Sequence, residues 1–555
     1  MKRNFLVLIF SIFVYTALVA QVNVGQGVAY YKAGFSQVAK PLLLNEYKSD
    51  SLNRSNICYY LGNIYFEDIQ LDSAAYFFNK GMSSQPITYF NAVGNIMLKM
   101  KTDLVGAELD IKNILKIKGN NKNENLMIAI SRAYLANGNI EKAIVYHDKA
   151  KSIKSKSAAS AVLLGDINLA KKDIGVACSN YEVAILYDEN CKEAYIKYAR
   201  AYKNANSQLS IQKLNELKVK DPSFLLVDKE LADIYYSLND FDKAAQLYDN
   251  YLKSGNSNVQ DLTKYAMTLF LNKDFAKSLE VANLGLKKSP RNPAFNRLAM
   301  WNNVDLKKYD DAIKAADLFF NQTDKPDFTY LDYRYYGQAL RETKQFDLSI
   351  QQFQTALKMD STKVELWKDI SDMYNDKADY VNSISAYNTY LKSLDETKKT
   401  GDIVIALGKL YYSLSSTESI DPLLKKDALT KADSVFAIVA TLEPTGYRGN
   451  FWRARANSAL DPETTLGLAK PFYEQTATLI ESKADPRFNT VLIECYSYLG
   501  YYSLLQKDNA LSLSFWNKIV AIDPTNATAK KAIEGIEKAM KGKKIIFSFL
   551  YHEKK

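Results

Sequence analysis

Apolar positions along this chain recur with a helical period, and a small residue interrupts them at nearly regular intervals. Within Ser55 to Phe66, the residues Cys58, Leu61, Gly62 and Tyr65 share one face at spacings of three, one and three, which predicts an amphipathic helix. After a short polar break, Ser73 to Gly81 places Ala74, Phe78 and Gly81 on one face of a second helix, and Pro86 closes the unit. The small residues Gly62, Gly94, Ser131, Gly165, Ala199, Ala232, Ala266, Ala299, Gly337, Ser371, Gly408, Ala456 and Gly500 mark thirteen such copies, 32 to 48 residues apart. Self-similarity at this period predicts a stacked helical array instead of a single globular core. Gly62 and Ala74 predict a close approach of two helices, and Phe78 is expected to fill the wedge against the next copy.

The run Leu61-Gly62…Tyr65…Ala74…Phe78…Pro86 returns as Leu164-Gly165…Ala177…Tyr181…Ala184 and as Leu231-Ala232…Tyr235…Ala244…Tyr248. It returns again as Leu499-Gly500…Ser512…Trp516…Pro524. This grammar resembles the tetratricopeptide repeat, whose pattern is Trp-x2-Leu-Gly-x2-Tyr…Ala-x3-Phe…Pro, and the resemblance covers about residues 55–525. It implies an all-α fold, a right-handed superhelical solenoid of about thirteen two-helix repeats with terminal caps. Residues 21–54 read as a degenerate half-repeat in which Phe35, Val38 and Leu42 continue a second-helix pattern without a partner helix. Residues 526–555 read as a capping helix to Lys541, stopped at Gly542, followed by a basic-aromatic tail. The copies near 87–119 and 192–222 are weak, with Asp110 and Asn215 where an aromatic residue is usual. About a dozen extra residues are expected between the helices of the copy near Thr400, at 413–429, and Pro471 is expected to bend a second helix, changing the local curvature.

The ends and the composition narrow the setting. Lys2 and Arg3 precede an apolar run from Phe5 to Ala20, shorter than the roughly 20 residues of a membrane span. Residues 1–20 are therefore expected to be a signal peptide cleaved after Ala20, with an uncleaved anchor as the alternative. No cysteine stands at the junction for lipid attachment, and no later segment is long and apolar enough to span a bilayer, so a periplasmic or secreted protein is expected. Cys58, Cys178, Cys191 and Cys495 are expected to be free, buried thiols, because the helical rise separates Cys178 from Cys191 and the other two belong to opposite ends of the array. The 39 tyrosines suit half-buried seams between repeats. A net charge of +10, to which Lys2 and Arg3 contribute, is a solvated surface and not a nucleic-acid footprint.

Candidate chemistry is sparse. His147 occupies a wedge position and His552 lies in the tail, and no metal spacing, nucleophile elbow or phosphate loop occurs, so neither an enzyme nor a cofactor is expected. The resemblance implies that the first helices of successive repeats face a concave surface where protein or peptide segments bind. A face offset by one residue from the buried stripe, running i, i+4, i+7, gives the expected inward positions: Asn63, Asn95 and Arg132 stacked in three successive copies, then Arg200, and later Arg334, Arg341, Lys368, Arg453 and Asn457. The three asparagine and arginine positions are suited to an extended backbone; Arg334, Arg341 and Lys368, extended by Lys409 and Arg453, form a basic cluster suited to carboxylates. The carboxylate clamp of chaperone-adaptor members is absent, since Tyr59 replaces its first lysine and Asn125 and Ala129 its basic pair. Two alternatives stay open: a carbohydrate or cell-wall binder using tyrosine platforms, and ordinary wetted helix faces. Residues 545–551, flanked by lysines, are expected to fold over the last seam, touch a membrane or cell-wall surface, or add a strand to a partner.

Overall fold

The computed structural model describes residues 25–51, 53–84, 89–255, 257–324 and 326–552, with side chains as far as 541. The expected signal peptide at 1–20 lies outside the described residues. Helical pairs stand at 54–82, 90–116, 124–153, 158–187, 192–220, 226–252, 259–288, 293–322, 330–359, 365–393, 401–442, 448–481 and 489–522, numbered here as repeats 1 to 13. A further pair, Gln26–Lys32 with Ser36–Ser49, precedes them, and a single helix, Ala527–His552, follows. No strand occurs among the described residues, and the chain is the all-α tandem-repeat solenoid that its periodicity predicts. It divides into two compact units, residues up to 306 with 318–325, and 307–317 with 326 onward, so the division runs through the second helix of repeat 8.

The notch residues explain why these pairs stack. A Cβ built on Gly62 would lie 2.3 Å from the ring of Phe78, and one built on Gly94 also 2.3 Å from it. One ring thus fills the notch of its own repeat and that of the next. Gly165 meets Tyr181, Gly337 meets Phe353, Gly408 meets Phe436 and Gly500 meets Trp516 in the same way. Where the second helix carries serine in place of alanine, its hydroxyl donates to the notch carbonyl across the seam. Ser210 donates to Ala199, Ser278 to Ala266, Ser349 to Gly337 and Ser512 to Gly500, at 2.6–2.8 Å. Burial of the hydroxyl is thereby compensated.

The turn inside a repeat has its own signature. Lys172, Asn239, Lys273, Ala378 and Lys507 adopt φ of 57–65° and are each followed by an aspartate. Those aspartates, Asp173, Asp240, Asp274, Asp379 and Asp508, accept the backbone N–H three residues on and so cap the second helix.

Several expectations are corrected. The N-terminal half-repeat is a full pair, because Gln26–Lys32 supplies a short partner helix, and Leu43 instead of Leu42 is the buried leucine. Both weak copies form complete helical pairs; Asp110 is tolerated because it pairs with Lys99 at 2.8 Å. The extra residues at 413–429 mostly lengthen a helix, since the second helix of repeat 11 starts at the Asp421 cap and runs Pro422–Leu442. Pro471 sits in the first turn of Lys470–Glu481, where its missing N–H has no helical acceptor to lose, so it does not bend an interior. The final helix continues through Gly542 to His552, so residues 545–551 are helical and not a strand.

Tyrosine is also more deeply placed than half-buried seams require: Tyr134, Tyr181, Tyr195, Tyr248, Tyr251, Tyr265 and Tyr496 are fully buried. Carboxylates receive several of their hydroxyls, as in Tyr181 to Asp166 at 2.9 Å and Tyr251 to Asp261 at 2.6 Å. His147 is buried in its wedge. All four cysteines are free; Cys58, Cys178 and Cys495 are buried, whereas Cys191 is half-buried. Among the described residues, no helix is long and apolar enough to cross a membrane.

Candidate partner-binding site

In a first helix the residue after the notch is turned about 100° from the buried seam. In the N-terminal unit, Asn63, Arg132 and Asp166, the residues after the notch in repeats 1, 3 and 4, line a half-open cavity of about 970 Å³ together with Phe90 and Met97 of repeat 2 and side chains from repeat 5 and the leading helix pair. One wall is aromatic. Tyr31, Tyr60, Tyr59 and Phe90 follow one another at ring-centroid separations of 5.4, 5.4 and 5.5 Å. The facing wall is charged: Arg132 meets Glu193 at 3.3 Å, and Lys197 meets Glu193 at 2.9 Å and Asp166 at 2.5 Å. Burial pushes the Glu193 carboxyl up, but Lys197 and Arg132 outweigh it and hold the group below the usual glutamate range. Burial likewise raises the Tyr59 phenol, which Arg132 and the Asn63 amide partly offset. Asn63 lines the same space, so aromatic faces, an amide and an ion-pair network converge on one chamber.

Of the nine residues expected on the inner face, two therefore reach this cavity, Asn63 and Arg132. Asn95, expected between them, donates instead to Asn79 Oδ1 at 2.9 Å and Met82 Sδ at 3.1 Å on the second helix of repeat 1. Arg200 is held by Glu230 through two bonds of 2.7 and 3.1 Å and donates to the Gly34 carbonyl at 2.8 Å. In the second unit the basic cluster is interleaved with acids. Arg341 lies 3.1 Å from Asp369 and 3.8 Å from Asp372, and Lys368 lies 3.0 Å from Asp372. Arg334 is exposed, its guanidinium 5.9 Å from the Tyr335 ring centroid. The cluster thus already contains carboxylates, and its extension is spent within the fold: Lys409 lies over Trp452 at 5.2 Å. Arg453 and Asn457 both grip Asp433, at 2.9 and 2.8 Å, and Arg453 also covers the Phe472 ring at 4.0 Å.

The position after the notch has a second use that reasoning from one repeat at a time missed. Asp166 pairs with Lys197 and Asp233 with Lys264, each 31 residues on, while Arg200 pairs with Glu230, 30 residues on, with the charges exchanged. These are staples between successive first helices. Their signal in the sequence is opposite charge one repeat apart, at the residue after one notch and two residues before the next. Tyr181 and Tyr248, the wedge residues, donate to the same aspartates.

Asp233 makes the staple measurable. Burial pushes its carboxyl up, but Lys229, with hydrogen bonds from Lys264 and Tyr248, reverses this and brings it from 3.8 down to about 2. A depressed carboxyl stabilises the fold above the unfolded value and loses that contribution as pH falls toward the folded one. The contribution here is about 2 kcal/mol, present above pH about 4 and lost between pH about 4 and 2. The stability difference between the natural protein and Asp233→Asn, followed by urea unfolding, is expected to shrink by that amount from pH 5 to pH 2. A difference independent of pH would show that the ion pairs contribute nothing.

A sequence profile of the tetratricopeptide repeat matches residues 229–293. The chain is similar to the C-terminal part of a tetratricopeptide-repeat protein from Cytophaga hutchinsonii, at 30% identity over 49% of this chain and 99% of that one, with a TM-score of 0.40. It is also similar to PilF of Pseudomonas aeruginosa, at 17% identity over 40% and 100% of the two chains, with a TM-score of 0.32. A tetratricopeptide-repeat protein from Parabacteroides merdae shares 16% identity over 45% and 98%, with a TM-score of 0.30. No curated protein matches the chain significantly.

Proposed function

We propose, from the premise that the chain belongs to the tetratricopeptide-repeat family, whose repeats mediate protein–protein interaction, that it is a non-enzymatic interaction scaffold of the cell envelope. Its N-terminal unit receives a partner segment in the cavity, where the inner faces of four successive first helices converge. That convergence carries the reading. The wall of Tyr31, Tyr60, Tyr59 and Phe90 offers apolar area with little side-chain entropy to lose. Asn63 offers a donor and an acceptor to a peptide main chain, and Arg132 a guanidinium. An envelope location rests on the basic and apolar residues between Lys2 and Ala20, and N-terminal sequencing of the exported protein tests it; a mature chain beginning elsewhere than Gln21 would count against cleavage after Ala20. The lysine-flanked tail at 545–551 is the candidate for peripheral contact with membrane or cell wall.

A photoreactive phenylalanine derivative at Asn63, inside the cavity, is expected to give discrete crosslinked adducts in intact cells. The same probe at Leu186, 80% exposed on a second helix, is expected to give none of them. Arg132→Glu should abolish the adducts of residue 63. Identical adducts from both positions would remove the cavity from consideration.

The row of three tyrosines favours one second reading, a glycan stacked on their ring faces. Isothermal titration with cell-wall fragments decides it: heat lost in Tyr60→Ala supports stacking, and no heat with any glycan eliminates it.

A further inference from the structure

The leading helix pair does more than cap repeat 1. On one side it is fastened there: Tyr31 and Ser36 donate to Glu67 at 2.8 and 2.7 Å, Gln37 donates to Asp68 at 2.9 Å, and Lys40 pairs with Asp68 at 2.7 Å. On the other side it reaches repeat 5 and the turn into repeat 6. Arg200 donates to the Gly34 carbonyl across 166 residues of sequence, and its guanidinium lies 4.6 Å from the Phe35 ring centroid. The rings of Tyr30 and Phe35 stand 5.8 and 6.3 Å from that of Phe224, and all three are buried. Glu230 holds Arg200 in place from behind through two hydrogen bonds. Residues Gly25, Val28, Tyr31, Lys32, Gly34 and Ser36 of this crossing segment line the cavity.

We propose that the contact of Gly34 and Phe35 with Arg200 and Phe224 is a latch across the side of the cavity, and that a partner polypeptide enters sideways only when it opens. The inference rests on the reading of the cavity as the partner site. A backbone carbonyl beside an aromatic side chain, seated on a guanidinium and an aromatic ring, is the chemistry of a bound peptide. The chain's own Gly34-Phe35 occupies that seat, and an extended segment presenting an aromatic residue is the partner that competes with it. Gly25 and Gly34 flank the first helix of the pair at φ of 88° and 80°, a conformation that costs glycine nothing and other residues more. The closure consists of ring contacts and the charge-assisted hydrogen bond from Arg200 to Gly34, with Lys32 near Glu193 and Tyr30 near Tyr251, in contrast to the continuous seams between repeats. Such contacts open more readily than a packed core.

The test reads access to the cavity directly. Asn63→Cys, in a Cys191→Ser background that removes the half-buried thiol, is labelled with a maleimide on a polyethylene glycol chain, and the site is assigned by mass spectrometry. Two variants open the latch from opposite sides. Arg200→Met removes the bond to Gly34 together with the two to Glu230, and keeps an apolar stem over Phe35. Gly34→Ala places a Cβ 2.5 Å from Arg200 Nη1 and strains a φ of 80°. Each is expected to raise the labelling rate of residue 63 about tenfold, the equilibrium change expected from losing one charge-assisted hydrogen bond. Buried Cys178 should stay unlabelled, which separates opening from unfolding. If loss of Arg200 unfolds the unit, Gly34→Ala alone decides the matter. An unchanged rate in a folded variant overturns the latch. Faster labelling without adducts from the photoprobe at residue 63 overturns the partner reading and leaves the latch standing.

Discussion

Replacing Phe78 with alanine is expected to destabilise repeats 1 and 2 by about 3–5 kcal/mol, the range for deleting a fully buried phenylalanine ring. The effect should exceed that of an ordinary core position because the ring serves two notches at once. Gly62 and Gly94 each leave room for it, with a Cβ on either coming 2.3 Å from a ring carbon. Stacked repeats couple mainly to their neighbours, so the loss should appear as faster amide hydrogen exchange across 54–116, with repeats 9 to 13 keeping their protection. Gly94→Ala alone should also destabilise, by about 1–3 kcal/mol, because it overpacks the same space. Combined with Phe78→Ala, however, the added methyl enters the cavity that the ring has left. The double variant should therefore be less damaged than the sum of the singles. Additive losses would mean that Phe78 and Gly94 do not share the notch.

The second large effect is expected at Asp461, at the end of the first helix of repeat 12. Its carboxylate, only 4% exposed, accepts the backbone N–H groups of Thr465, Leu466 and Gly467 at 3.1, 3.0 and 2.8 Å. The loop it organises holds Thr464 and Gly467 at φ of 57° and 67°, and Gly467 presses against Tyr502, where a Cβ would come within 2.4 Å of the ring. Asp461→Ala leaves three donors without their acceptor and should cost about 3 kcal/mol, since charge-assisted hydrogen bonds contribute more than neutral ones. Asp461→Asn keeps one acceptor oxygen and should recover roughly half of that. Urea unfolding followed by exchange of amides 448–481 reads both variants. Equal stability of the alanine variant and the natural protein would refute a structural role for this carboxylate.

The staples, the cavity and the latch share one physical origin. Polar groups on the inner face of a helical array are close to the next repeat as well as to solvent, and they bond to whichever is better placed. Arg341, Arg453 and Asn457 satisfy themselves within the second unit, on Asp369 and Asp433. Asn63 and Arg132 line the chamber between the first helices and the leading helix pair, Arg132 with Glu193 beside it at 3.3 Å.

Residue size and helical period determined most of the fold without reference to coordinates. Whether two helices can approach depends on the volume of the side chains at the notch and the wedge, and both are written within one repeat, as Gly62, Ala74 and Phe78 are. Starts of second helices are set just as locally, by an aspartate that caps the turn beside it, although only the structure revealed those caps. Only the tertiary structure decided which inner-face residues are available to a partner. Arg200 looks like a ligand-binding group until Glu230, 30 residues away, and Gly34, 166 residues away, take up its hydrogen bonds. Steric fit is set between near neighbours in the chain, whereas the fate of a charge is set by whatever the folded chain brings within a few ångströms of it.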